Sequence, residues 1–205
     1  MDLGFFLRGL LIGFSIAASV GPIWVLVMRR TLAYGSLPGL VSGMGVATAD
    51  GLYGAIGGFG LTFVSSLLVE QSLWLRLIGG GFMCYLGIKI GLSAPVAREA
   101  KDSGGKLSRL YISTFLLTLT NPMTIISFAV ILAGLGAGST NGNYLATLIL
   151  ILGVFCGSSV WWVVMTSLLG MLHKKITPRI MRWINWISGF IIFAFGVVAL
   201  LTLLQ

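Results

Sequence analysis

The chain is short of charge, histidine and cysteine. Only 9% of its 205 residues are charged, and only five are acidic. A soluble domain carries about 25% charged residues, so this composition argues against one. His173 is the single histidine, too few for a His-based metal site, a zinc protease motif or a Ser-His-Asp triad. The two cysteines, Cys84 and Cys156, form neither a Cys-x-x-Cys pair nor a disulfide framework, and read as apolar thiols inside helices. A two-aspartate membrane protease needs a second carboxylate in an apolar run, and Asp50 has no such companion. Long polar stretches that could form a soluble catalytic domain are also missing. These shortages argue against an enzyme, and they call for no cofactor and no resident metal.

What the chain has is apolar length: 57% of residues are hydrophobic and the mean hydropathy is +1.03. A membrane-spanning helix needs about 20 apolar residues. Six stretches qualify, at 5–28, 37–64, 73–92, 110–134, 144–170 and 184–204. They predict an all-α, polytopic membrane protein with one transmembrane domain over 1–205. The first stretch has the small residues Ala17, Ala18 and Ser19, as a signal peptide would. Its apolar run continues to Met28 and Asp2 is a poor flanking residue, so it is expected to be retained.

The net charge of +8 follows the connections between these stretches. With the N-terminus outside, the cytoplasmic connections hold Arg29, Arg30, Lys89, Arg98, Lys101, Lys106, Arg109, Lys174, Lys175, Arg179 and Arg182. Only Arg8 and Arg76 remain outside. That asymmetry is a positive-inside signal, and the excess charge faces anionic headgroups of the lipid bilayer rather than nucleic acid. It puts both termini on the periplasmic side of a bacterial inner membrane.

The polar connection 93–108 divides the chain into half-repeats of about 1–92 and 109–205. Three helices per half require the halves to be inverted in the membrane, as in many secondary transporters. Short matches follow in the same order. Gly21-Pro22 in the first helix, preceded by Ser15 and Ser19, matches Asn121-Pro122 in the fourth, preceded by Thr118 and Thr120. Asp50-Gly51-Leu52-Tyr53 in the second matches Ser158-Ser159-Val160-Trp161 in the fifth. Gly80 and Gly87 in the third match Gly189 and Gly196 in the sixth. The fold expected is a 3+3 inverted repeat whose helices one and four are interrupted at proline.

Asp50 is the leading site candidate. A charged side chain at the bilayer midplane costs about 2.5–3.5 kcal/mol, so such a group usually binds, relays or pairs with something. The alternative is a structural, hydrogen-bonded Asp within the bundle. A proline inside a helix costs about 3 kcal/mol and frees carbonyls that need partners in lipid. Pro22 and Pro122 either kink or break their helices. If they break them, two helix N-termini begin there, one with Asn121 as a good N-cap. Each end presents free N–H groups and about half a positive charge, which suits a carboxylate. Ser19, Thr118, Asn121, Ser158 and Ser159 are candidate hydrogen-bond partners, with Gly21 opening the first break.

Small residues mark close packing: Gly39, Gly43, Ala47, Gly51 and Ala55 on the second helix, Gly153 and Gly157 on the fifth. Gly54, Gly57, Gly58 and Gly60 are dense enough to act as a hinge beyond Asp50. Trp74, Trp183 and Trp186 read as interface anchors, and Trp161 and Trp162 as bundle packing.

At Gly21-Pro22, Asp50 and Asn121-Pro122 the chain resembles the LysE/RhtB family of amino-acid exporters. The resemblance continues through Gly51-Leu52-Tyr53, the stretch from Leu77 to Gly87, and Gly157 through Trp162. It implies a small membrane protein that exports amino acids with the proton as coupling ion, and it admits a homodimer. Two departures stand out. Ile23-Trp24 follows Gly21-Pro22 where family members carry Asn or Gln-Asn, and Met123-Thr124-Ile125-Ile126 follows Asn121-Pro122 where Lys or polar residues are common. A site this apolar disfavours a strongly cationic substrate. The expectation is an exporter of a zwitterionic amino acid or related metabolite, with Asp50 meeting the ammonium group or carrying a proton. An inorganic cation exporter and a non-transporting scaffold subunit are the alternatives.

Overall fold

A computed structural model describes residues 2–59, 72–93, 104–121, 124–125, 127–128, 143–173 and 175–201. The described residues form seven helices and no strand: α1 (Asp2–Ala18), α2 (Pro22–Tyr34), α3 (Ser36–Gly58), α4 (Ser72–Gly91), α5 (Gly104–Thr120), α6 (Tyr144–His173) and α7 (Pro178–Leu201). Among them, α6 and α7 are long and apolar enough to cross a membrane, and the pair α1 plus α2 qualifies as one bent span. The polarity is that of a protein in lipid. Leu11, Leu152, Phe190 and Val198 are exposed, whereas Ser42, Thr114, Thr118, Ser158 and Asn185 are buried. The chain is a multi-pass membrane protein.

The stretch 5–28, expected as one span interrupted at proline, is two helices meeting at 76°. Ser19 ends α1 by donating both its N–H (3.1 Å) and its hydroxyl (2.7 Å) to the Ile16 carbonyl. Pro22 then opens α2 at a position where its missing N–H costs nothing, and Val25 N–H bonds the Gly21 carbonyl at 3.1 Å. The bend is therefore a break. A consequence is that Arg29 and Arg30, expected in a cytoplasmic loop, lie inside α2 and are buried. At its other end α2 turns directly into α3 through Gly35, whose φ of 98° favours glycine.

The fourth expected helix also stops where expected, at Thr120. Asn121 N–H bonds the Thr118 carbonyl (3.2 Å), and Tyr53 from α3 donates to the Leu119 carbonyl (2.7 Å). The chain then restarts, since Thr124 and Ile125 N–H groups bond the Asn121 carbonyl at 3.1 and 3.2 Å. Pro122 itself lies outside the described residues, as do Gly60 and all of 129–142. The connection 93–108 is shorter than expected, because α5 already begins at Gly104.

Glycine decides how the helices pair. On α1 and α6 two Gly-x-x-x-Gly pairs interlock: a Cβ on Gly9 or Gly13 would strike the Leu150 or Val154 backbone, and one on Gly153 or Gly157 would strike Phe6 or Leu10. Missing side chains let the backbones touch. α4 and α7 meet the same way, through the glycines that share a spacing of seven. A Cβ on Gly87 would lie 2.7 Å from the Gly189 oxygen, and one on Gly196 2.8 Å from the Gly80 oxygen. The small-residue stripe of α3 is divided between partners. Gly43 lies against Trp162 and Gly51 against Phe155 on α6, Gly39 faces Thr31 on α2, and Gly45 faces Tyr111 and Thr114 on α5. The helix runs unbroken through Gly54, Gly57 and Gly58. Gly54 and Gly58 there lie against Val154 and Thr147, so the expected hinge is packed helix.

Candidate functional site

Asp50 sits in the middle of α3 and is 1% exposed. One turn before it, Val46 and Ala47 belong to an apolar cluster with Ala17, Ile23, Leu26 and Trp162. Three residues after it, Tyr53 belongs to a second cluster with Ile16, Phe128 and Val154. The carboxyl thus falls in the seam between two cores. Both cores draw on residues beside the α1–α2 break, and the second also draws on residues just past Asn121.

Inside that seam Asp50 has one side-chain bond among the described residues. Ser158 on α6 donates its hydroxyl to Asp50 Oδ2 at 2.7 Å, and Ser158 is fully buried. Asp50 Oδ1 is buried with no hydrogen-bond partner. A buried polar atom without a partner is costly. Here it is an acceptor ready for a donor, or the seat of a proton. Among the described residues no cation pairs with Asp50, and no three of His, Cys, Asp and Glu come together as a metal cluster.

The other candidates take other positions. Ser159, next to Ser158, donates to the Phe155 carbonyl of its own helix (2.7 Å). Thr118 likewise donates to Thr114 (2.8 Å), and Ser19 to Ile16. Asn121 is buried and donates through Nδ2 to Thr124 Oγ1 at 2.9 Å, across the second break. Gly21 and Pro22 form the first break, which leaves the N-terminus of α2 without a side-chain cap. Of the candidates, Ser158 is brought onto Asp50.

Two sets of residues named in the sequence, Trp161 and Trp162 as packing and Arg29 and Arg30 as loop charges, carry more than that reading gave them. Trp24, Trp161 and Trp162 each bury an indole N–H with no acceptor. Trp24 follows the first break, and Trp161 and Trp162 are one helical turn beyond Ser158. Trp24 was visible as a departure from the family pattern, though its unmet N–H was not. The second set is Arg29 and Arg30. Arg29 donates from Nε to Asn185 Oδ1 (2.9 Å) and from Nη2 to Ser93 Oγ (3.1 Å). Arg30 donates from Nη1 to Ser42 Oγ (3.1 Å) and the Leu110 carbonyl (3.0 Å), and from Nη2 to Ser113 Oγ (2.8 Å).

Comparison with known proteins completes the picture. The profile of the LysE type translocator family matches residues 14–203, a span that includes both breaks and Asp50. The chain belongs to the LysE type translocator family. It is a membrane transporter and not an enzyme. This LysE-type translocator is 28% identical over 195 residues to a protein of Bacillus subtilis (strain 168) named "Putative amino acid efflux protein YcgF", covering 93% of this chain and 92% of that one. It is also 24% identical over 185 residues to "Uncharacterized membrane protein YrhP" of the same organism, covering 84% and 87% respectively. No solved structure matches it.

Proposed function

We propose that this translocator exports a zwitterionic amino acid, or a related small metabolite, across the bacterial inner membrane, with Asp50 as the ammonium or proton site. The observation that carries this reading is the buried carboxyl itself, held on one oxygen by Ser158 and open on the other. A substrate ammonium group is a donor that Oδ1 can take. The substrate carboxylate goes to the uncapped N–H groups at the start of α2, where the helix dipole favours negative charge. The name of the Bacillus subtilis relative, an amino acid efflux protein, points to the same cargo and direction. Apolar neighbours and one carboxylate favour a neutral side chain over a cationic one.

The proposal includes six spans in a single domain, arranged as inverted half-repeats of about 1–92 and 109–205. Several pairings support it. α1 packs on α6 as α5 packs on α3, the exchange an inverted repeat requires. The repeat mates α4 and α7 touch through their matching glycines, and the mates α3 and α6 touch through Asp50 and Ser158. Around the end of α2 meet Ser42 near the start of α3, Leu110 near the start of α5 and Asn185 near the start of α7. Ser93 just after α4 and His173 at the end of α6 join them. Starts and ends alternate there, as they do in helices that cross in alternating directions. The basic residues left in the connections support a cytoplasmic assignment of this side, with both termini in the periplasm as part of the proposal. The proton as coupling ion and assembly as a homodimer belong to the same proposal, on the family resemblance.

A thermal-stability screen of the purified transporter against neutral, acidic and basic amino acids and divalent cations tests the substrate class. Stabilisation by neutral amino acids, lost in Asp50→Asn, is expected. Stabilisation by a divalent cation alone would replace this reading with cation export.

A further inference from the structure

α2 is a 13-residue helix with a joint at each end. At its start the chain bends by 76° through Gly21, which has an extended backbone and no side-chain cap, and at its end Gly35 turns at φ 98° straight into α3. Between the joints lie two adjacent arginines, each 6% exposed. Cationic side chains inside a membrane protein are expensive, and they are found where they do work.

The bonds of these arginines have a pattern. Arg29 reaches Asn185 on α7 and Ser93 after α4, while Arg30 reaches Ser42 on α3 and Leu110 and Ser113 on α5. His173, at the end of α6, adds a bond from Nδ1 to the Leu32 carbonyl of α2 at 2.7 Å. One short helix is thereby tied to α3, α5, α6 and α7 and to the end of α4. Among the described residues, the acceptors of these arginines are hydroxyls, an amide and a backbone carbonyl. Neutral acceptors hold the helix, and water can replace them when it leaves.

We propose that α2 is the inner gate of this transporter and that Arg29 and Arg30 are the latch holding it closed on the cytoplasmic side. The inference rests on the export reading above and on its topology. Closed, the latch draws the ends of α3 to α7 around α2 and separates the seam at Asp50 from the cytoplasm. Open, α2 swings on Gly21 and Gly35 and admits the substrate from inside. The arginines act on transport by positioning α2, not by touching the substrate.

A thiol at the first joint tests this. Gly21 has an extended backbone and nothing within 4 Å of an added Cβ, so Gly21→Cys fits the fold. It is placed in a Cys84→Ser, Cys156→Ser background and labelled with a membrane-impermeant maleimide. Arg30→Gln is expected to speed labelling in inside-out vesicles on the order of tenfold, and to leave right-side-out vesicles unchanged or slower. Arg30→Lys, which keeps the charge but loses the fork, should fall between. If Arg30→Gln does not insert, Ser113→Ala carries the same test with a smaller expected rise. Equal acceleration from both sides would show that the arginines only hold the fold together. No acceleration from inside would remove the gate. Labelling needs neither substrate nor Asp50, so this outcome is separate from that of the export reading.

Discussion

Asp50 and Ser158 form a contact that one hydroxyl decides. A hydrogen bond to a charged group contributes about 1.5–3 kcal/mol and one to a neutral group about 1 kcal/mol. Ser158→Ala is therefore expected to lower stability by about 1–3 kcal/mol, read as earlier thermal unfolding in detergent. Ser159→Ala, whose hydroxyl bonds its own helix at Phe155, should unfold close to wild type. The sequence showed Asp50 plainly, because a lone acid in an apolar run is conspicuous. It could not show which serine of the pair faces Asp50, since neighbours on a helix point about 100° apart and the rotation of α6 is set by how its glycines meet α1. Arg29 and Arg30 were misread for a related reason. Charges just past an apolar run look like a loop, and only the break at Gly21 turns that place into the middle of a second helix.

At the level of helices, proline marked where the chain interrupts itself but not by how much. Gly21-Pro22 was compatible with a kink or a break, and the 76° between α1 and α2 makes it a break. The glycines carried a packing code that was only half legible. Gly80, Gly87, Gly189 and Gly196 were visible as a matching spacing, and they prove to be the contact between α4 and α7. Gly54 and Gly58 looked like a hinge because density of glycine says nothing about what lies opposite; Val154 and Thr147 fill that space. A direct comparison follows. Gly157→Ala places its methyl against the Leu10 backbone and is expected to cost about 1–3 kcal/mol. Gly81→Ala, with nothing within 4 Å, should leave the melting temperature unchanged. Unfolding of both variants in the same detergent checks the pair.

For the molecule as a whole, composition alone carried the class: so little charge and so much apolar length leave room only for a membrane protein. The interior holds Asp50, two arginines and many hydroxyls beside its apolar core, while many leucines and several phenylalanines face outward, unlike a soluble globule. Cys84 and Cys156 are free thiols on different helices, α4 and α6. Replacing both with serine is expected to leave export unchanged, measured in the same vesicles as the wild type; loss of export would point to a thiol-dependent cycle. If Asp50 is the working group of the transporter, export is lost with its carboxyl. Reconstituted vesicles loaded with a neutral amino acid, under an imposed proton gradient, measure that most directly. Wild type should release the amino acid, and Asp50→Asn, inserted in equal amount, should release no more than protein-free vesicles. Full release by Asp50→Asn would contradict the account.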